Sequence, residues 1–312
     1  MNSPATRLVF MGTPEFAVPS LEILIRNRYP IPVVVTAPDK PRGRGQEFSP
    51  TPVKKLAVEA GIPVLQPEQL DDPGLVARLK EIAPDMIVVV AFRILPREIY
   101  TIPRLAAFNL HASLLPKYRG AAPINWAIIN GENETGVTTF LLEDKVDTGG
   151  IVLQRSIPIG PDDNAGTIHD KLAMLGAQAV LETVRKIEEG GMDISRQDNS
   201  LASRAPKIFR DDCRIRWNQP AERIHNFIRG LSPYPAAFTE HREKILKVYR
   251  TRVVDVPGSR MPGEVEIDGE EVTVAASEGG LCLIELQQEG RRRMTAAEFL
   301  RGYPIRSGEK LI

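Results

Sequence analysis

The sequence predicts an α/β chain in two parts: a doubly wound, mostly parallel sheet followed by a small β-barrel. Three observations carry that expectation. Short apolar runs, among them Leu8-Val9-Phe10 and Met86-Ile87-Val88-Val89-Val90, alternate with segments of helical period up to Gly191. The first run stops at Gly12-Thr13-Pro14 and yields to a helix, the usual opening of a doubly wound sheet. Beyond Trp217 the pattern becomes short strands separated by turns, five in about 90 residues, as in small barrels. A length of 312 residues is ample for two cores.

The elements follow in order. After Leu8–Phe10, a helix is expected over Phe16–Arg26, with Phe16, Leu21, Leu24 and Ile25 facing inward, then a strand over Ile31–Thr36. The turn between the first strand and helix lacks G-x-G-x-x-G, so a dinucleotide is not supported. Residues 37–46 are too rich in Pro and Gly for regular structure and carry Lys40, Arg42 and Arg44 with one acid. They read as a loop, either a solvated surface feature or a mobile arm that touches phosphate. Helices over Val53–Ala60 and Pro73–Ile82 flank a short strand at Pro63–Leu65. Met86–Val90 has no polar alternation, which places it centrally with both faces covered. A strand over Leu105–Leu110, a helix from Ala121 to about Asn130, and strands Val137–Leu142 and Ile151–Ile157 continue the alternation. A long helix over Thr167–Glu189 is expected, capped by Thr167 and stopped by Gly190-Gly191. Residues 192–212 are polar and irregular, with Arg204, Lys207 and Arg210 spaced along them. A short helix at Ala221–Arg229 precedes strands Ala236–Glu240, Lys244–Val254, Gly263–Ile267, Glu271–Ala276 and Gly280–Leu286. The expected division is residues 1–193, a linker at 194–204, and a barrel at 205–312.

Composition narrows the function classes. Lys plus Arg number 40 and Asp plus Glu 40, so any nucleic-acid contact must come from local basic patches. Cys213 and Cys282 form neither a disulfide framework nor a zinc spacing, and the histidines have no partners at ligand spacing. No apolar run approaches the roughly 18 residues of a membrane span, and the first residues lack a signal layout. The expectation is a soluble, reduced, cytoplasmic protein without metal.

Asn109 and His111 stand two apart at the end of a strand, so their side chains share a face at the sheet's carboxyl edge. Asp147 sits in a second tight loop, Val146-Asp147-Thr148-Gly149-Gly150. Taken singly, they could be a turn amide, a structural histidine and a turn acid. Together they supply an amide donor, a titratable ring and a carboxylate, a set suited to moving an acyl group onto a nucleophile. Ser113 is no nucleophile, because no G-x-S-x-G elbow surrounds it.

Four motifs carry a resemblance: Phe108-Asn109-Leu110-His111-Ala112-Ser113-Leu114-Leu115-Pro116, Arg119-Gly120-Ala121-Ala122-Pro123-Ile124, Glu134-Thr135-Gly136-Val137-Thr138 and Asp147-Thr148-Gly149. They are similar to those of the folate-dependent formyltransferases. Phe10-Met11-Gly12-Thr13-Pro14-Glu15-Phe16, the basic loop from Pro38 to Gly45 and Ser49-Pro50-Thr51-Pro52-Val53-Lys54 resemble the branch acting on charged initiator tRNA. The resemblance implies a Rossmann-like formyltransferase domain with a C-terminal OB-like barrel. It implies transfer of the formyl group of 10-formyltetrahydrofolate, as co-substrate, to the α-amine of initiator methionyl-tRNA, by a monomer. It assigns catalysis to Asn109, His111 and Asp147, and folate contact to Ser113, Leu114, Leu115 and Pro116. Lys40, Arg42, Arg44, Lys207 and Lys247 become the tRNA contacts. One departure shows: Ala91-Phe92-Arg93-Ile94-Leu95-Pro96 stands where the family has an aromatic-glycine pair, is a residue shorter, and adds a charge at Arg93.

The chemistry is consistent with that set. Amine attack on a formyl carbon builds a negative oxygen, and one preorganised donor there is worth about 3 kcal/mol. Asn109 offers a neutral donor and His111, when protonated, a charged one. Asp147 would hold the imidazole and stands ready to help collect the amine's proton. Two other readings remain open at this point. A formyltransferase for a small amine would keep the three residues but have little use for the Lys40–Arg44 loop. A non-catalytic RNA-binding protein would have no chemical need for all three.

Overall fold

Every residue of Leu8–Gly12 and of Met86–Val90 is buried, and the two strands lie parallel, paired from Leu8↔Met86 to Gly12↔Val90. Both faces of this pair are covered, which is why neither strand shows polar alternation. The computed structural model describes residues 6–42, 47–191, 193–256 and 260–312. The chain forms two compact units: Met1–Gly120, Gly136–Ile157 and His169–Arg204 in one, and Ala121–Thr135, Pro158–Ile168 and Ala205–Ile312 in the other.

The first unit is built on a 7-stranded sheet, in spatial order Ile151–Pro158, Glu134–Leu141, Ala106–His111, Met86–Val90, Leu8–Gly12, Val33–Val35, Val64–Leu65. From Ala106–His111 to Val64–Leu65 neighbours run parallel, and Glu134–Leu141 pairs antiparallel with Ala106–His111. Strand order reverses at Leu8–Gly12, the switch point near which open α/β sheets place their sites. Helix starts follow local chemistry. Thr51 accepts the Lys54 amide ahead of Pro52–Glu59, and Asp72 accepts the Gly74 amide ahead of Pro73–Ile82, each helix opening on proline.

Two expectations need correction. Residues 37–46 are not wholly irregular: Lys40–Arg42 pairs antiparallel with Glu47–Ser49, as Lys40↔Ser49, Pro41↔Phe48 and Arg42↔Glu47. Pro41 fits because a two-stranded ribbon leaves its nitrogen on an edge. The root of this hairpin is fastened by Asp39, which takes Lys54 at 2.5 Å and Gln66 at 2.7 Å. The long helix, Ala165–Glu188, is capped by Asn164 rather than Thr167. Asn164 Oδ1 accepts the Thr167 amide at 3.0 Å and Thr167 Oγ1 accepts the Asn164 amide at 2.9 Å, a reciprocal box that puts Thr167 inside the helix.

In the second unit an antiparallel sheet runs Ala237–His241, Lys244–Val254, Gly280–Gln288, Glu271–Ala275, Val265–Asp268, with Met294–Thr295 beside Gly280–Gln288. Trp217, Leu246, Val248, Val272, Leu283, Leu286 and Phe299 pack in its core. Among the described residues no ladder joins the outer strands, so the sheet is OB-like but open. The carboxyl-terminal segment bonds to both edges instead. Glu240 and Ile312 exchange backbone hydrogen bonds of 2.9 Å, while the Val265 amide donates to Glu309 O and the Leu311 amide to Gly263 O, each at 2.8 Å. The buried His241 holds this segment, with Nε2 at 3.0 Å from Glu309 Oε2 and Nδ1 at 2.9 Å from the Tyr303 hydroxyl. Arg242 also pairs with Glu309. A helix at Ala296–Gly302, boxed by Thr295 and Glu298, was not among the expected elements.

The Arg242 hydrogen bond, assisted by the Arg306 amide, holds the Glu309 carboxyl below its ordinary value. A carboxyl lowered on folding stabilises the fold fully above its unfolded value, about 4.3, and loses that contribution as pH falls through the folded value. Comparing melting temperatures from about pH 6 to pH 3, the gap between the natural protein and Glu309→Gln should narrow steadily toward acid; a constant gap would show that Glu309 does not fasten the segment electrostatically.

Candidate active site

Asn109 and His111 both lie on Ala106–His111, the strand flanked by Met86–Val90 and Glu134–Leu141, with Asn109 opposite Val89 and Phe140 and His111 opposite Thr138. Alternation sends the two side chains to one face at the carboxyl end of the strand. Asn109 is half-buried, and among the described residues its side-chain amide has no hydrogen-bond partner. His111 is buried, and its Nε2 lies 2.8 Å from the carbonyl of Tyr118. A carbonyl only accepts, so Nε2 carries a proton and donates it there. The other ring nitrogen, Nδ1, faces Asp147 Oδ2 at 3.9 Å. That is too long for a hydrogen bond and leaves room for one small polar group to bridge them.

Asp147 is itself buried, and its Oδ2 accepts the Gly120 amide at 2.9 Å. Three backbones in this corner are left-handed: Tyr118 at φ 62°, Gly120 at 124° and Asp147 at 57°. For non-glycine residues that region costs about 1–2 kcal/mol and persists only where the surroundings impose it. Gly149 shows one such constraint: a Cβ there would stand 1.7 Å from the Leu141 carbonyl oxygen.

The segment Ser113–Pro116 is fixed from within. Ser113 is fully buried and its hydroxyl donates to Lys117 O at 2.6 Å. Thr138 Oγ1 donates to Ser113 O at 2.6 Å and accepts the Leu115 amide at 3.1 Å, while Gln154 Nε2 reaches Leu115 O at 2.8 Å. Leu115 is buried, whereas Leu114 and Pro116 keep partly open surfaces. Arg93, in the loop after Met86–Val90, turns onto backbone: Nη1 donates to Glu68 O at 2.7 Å and Nη2 to Pro67 O at 2.8 Å. Ala91, at the start of that loop, takes φ 46°.

Of the basic residues, Lys40 is exposed, Arg42 ends its strand, and Arg44 lies outside the described residues. Lys207 and Lys247, far apart in sequence, line one cavity of about 670 Å³ in the second unit, together with Arg210 and Tyr234. Tyr234 is 84% exposed, and the Lys207 ammonium lies 5.4 Å from the Phe209 ring centre. Among the described residues no three His, Cys, Asp or Glu side chains gather as a metal would require, and no helix is long and apolar enough to cross a membrane.

Sequence reasoning missed Gln197. It falls in the stretch read as a linker, yet it is only 5% exposed and its Nε2 donates to the carbonyls of both Asp147 and Gly149. No sequence signal distinguishes this glutamine from the polar residues around it.

Comparison with known proteins follows the same outline. The family model described as formyl transferase matches residues 6–184, and that of the formyl transferase C-terminal domain matches 207–304. The chain is 49% identical over 314 residues to a methionyl-tRNA formyltransferase of Chlorobium phaeovibrioides, covering 99% of this chain and 98% of that one. It is 50% identical over 304 residues to a methionyl-tRNA formyltransferase of Caldanaerobacter subterraneus, covering 97% and 98%. Among solved structures, the sugar 3N-formyl transferase WlaRD, crystallised with dTDP and 5-N-formyl-THF, is similar at a TM-score of 0.67 and 22% identity, over 93% of this chain and 100% of that one.

Because the Leu141 carbonyl cannot yield as a flexible side chain would, Gly149→Ala should cost about 3 kcal/mol, the upper end for overpacking. Urea denaturation measures it, and a loss under about 0.5 kcal/mol would show that the Asp147 loop moves freely.

Proposed function

We propose that this chain, which belongs to the formyl transferase family, transfers the formyl group of 10-formyltetrahydrofolate to the α-amine of methionine on initiator tRNA, supplying the charged tRNA used to begin protein synthesis. The observation that carries this reading is the convergence of His111 and Asp147 on the strand end that bears Asn109, whose amide has no partner among the described residues. The names of the full-length relatives support formyl transfer to methionyl-tRNA.

In the reaction the amine nitrogen adds to the formyl carbon and the formyl oxygen takes up negative charge. Asn109 is the neutral donor for that oxygen; losing one such donor commonly costs 10²–10³ in rate. His111 adds a second donor when its ring is protonated. Its orientation is set by the Nε2–H to Tyr118 O bond, which leaves Nδ1 toward Asp147. The Asp147 carboxylate, 3.9 Å from Nδ1, collects the amine's proton, directly or through one bridging water. Collapse then breaks the bond to the folate nitrogen, which takes up a proton, so one proton leaves the amine and one is returned. No step requires a metal.

Residues 1–193 act as the catalytic, folate-binding domain, with 194–204 linking to a tRNA-binding domain at 205–312. The Ser113–Pro116 turn holds the formyl donor through the open faces of Leu114 and Pro116. Lys40, Arg42 and Arg44, and Lys207 and Lys247 on their shared cavity, contact tRNA phosphates. The enzyme works as a monomer in the cytoplasm.

Asn109→Ala and His111→Ala should each lower kcat at least about 100-fold while the Kd for charged tRNA changes less than about threefold. Near-normal turnover in either variant would remove the mechanism. Lys207→Ala and Lys247→Ala should each weaken charged-tRNA binding and reduce the magnitude of its log–log salt slope by about one. Offering the purified protein 10-formyltetrahydrofolate with either methionyl-tRNA or small amines tests the substrate itself; formylation of the small amines alone would overturn this reading.

A further inference from the structure

We propose that Gln197 is a positioning residue for Asp147, locked in its task by Arg119. Its two ends face opposite kinds of partner. Nε2 donates to Asp147 O at 3.0 Å and Gly149 O at 2.8 Å, and Oε1 accepts from Arg119 Nε at 3.1 Å and Nη2 at 2.6 Å. Carbonyls only accept and a guanidinium only donates, so the amide has one allowed orientation. Arg119 is held in turn by Asn199 Oδ1 at 2.9 Å. Glutamate at 197 would lose both donations, and asparagine would fall short by a methylene.

The backbone of Arg119 closes the circuit. Tyr118 before it accepts the His111 Nε2–H, and Gly120 after it donates to Asp147 Oδ2. Arg119 therefore sits on the stretch that grips both reactive side chains, and through Gln197 it also grips the Asp147 main chain. Asp147 is held at φ 57°, a conformation it would leave if released. Backbone pairing brings Gln197 there: Ile151 and Ser195 exchange hydrogen bonds of 2.8 and 2.9 Å, aligning residues 195–199 along the loop. The segment taken as a linker thus forms the back wall of the reactive corner.

This inference rests on Asp147 acting in the reaction, so the test separates the two claims. Gln197→Met keeps the length and removes every hydrogen bond, whereas Gln197→Glu keeps an acceptor for Arg119 and removes only the donations. Both should lower kcat about 10- to 100-fold, the scale of an ångström-sized misplacement, with KM for both substrates within about twofold. Added to Asp147→Asn, either should cost less than about threefold more, since the carboxylate it positions is already gone. If Gln197→Met does not fold, Gln197→Glu carries the measurement, its Arg119 partner retained. A kcat within about twofold of normal in Gln197→Glu, or a full multiplicative loss on top of Asp147→Asn, refutes the positioning role. An Asp147→Asn protein of normal kcat would instead refute the catalytic assignment beneath it.

Discussion

The reactive corner depends on one short run of main chain. His111 gives its Nε2–H to the Tyr118 carbonyl, and Asp147 takes the Gly120 amide, so a ring and a carboxylate from distant parts of the chain are referenced to backbone two residues apart. Side chains fastened to main chain inherit its rigidity, and this is how two groups stay 3.9 Å apart without touching. The cost is visible in the left-handed backbones of Tyr118 and Asp147. Both stretches are hydrogen-bonded from outside: Ser203 Oγ accepts the Tyr118 amide and Gln197 donates to the Asp147 carbonyl.

The sheet supplies the rest of the rigidity. The Ala106–His111 strand has a neighbour on each side, so its carboxyl end cannot twist away from Thr138. Thr138 is fully buried and its hydroxyl ties Ser113, Leu115 and Gln154 into one knot. Small residues allow the close approaches: at Gly136 a Cβ would stand 2.1 Å from the Arg155 carbonyl oxygen, as Gly149 would meet Leu141. The glycines of Glu134-Thr135-Gly136 and Asp147-Thr148-Gly149 are therefore packing requirements behind the site.

Much of this was legible because it is local. Met86–Val90 announced itself by unbroken apolarity, and the i, i+2 spacing of Asn109 and His111 fixed their common face as soon as the strand was placed. Whatever depended on long-range pairing was not. Asp39 fastens its hairpin through Lys54 and Gln66, which no composition rule foresees. The open barrel is bridged by residues 309–312, whose sequence has no strand signature because each edge borrows only one or two of their backbone groups. Thr167 looked like a cap, but Asn164 competed for the same role three residues earlier and prevailed. Gln197 is the sharpest case, since a buried amide bridging two loops looks in sequence like any other polar residue of a connector.

The internal satisfaction of the site also shows where a ligand gains most. Ser113, Thr138, Gln154 and Gln197 spend their polar atoms on the protein, so a substrate competing for them would have to break existing bonds. Asn109 is different: half-buried on a covered sheet, its amide has no partner among the described residues. Left open to solvent, it is engaged at the expense of water alone, and a donor that strengthens as charge develops on an oxygen lowers the barrier more than it tightens ground-state binding. Around that open amide, the surrounding hydrogen bonds serve to keep everything else still.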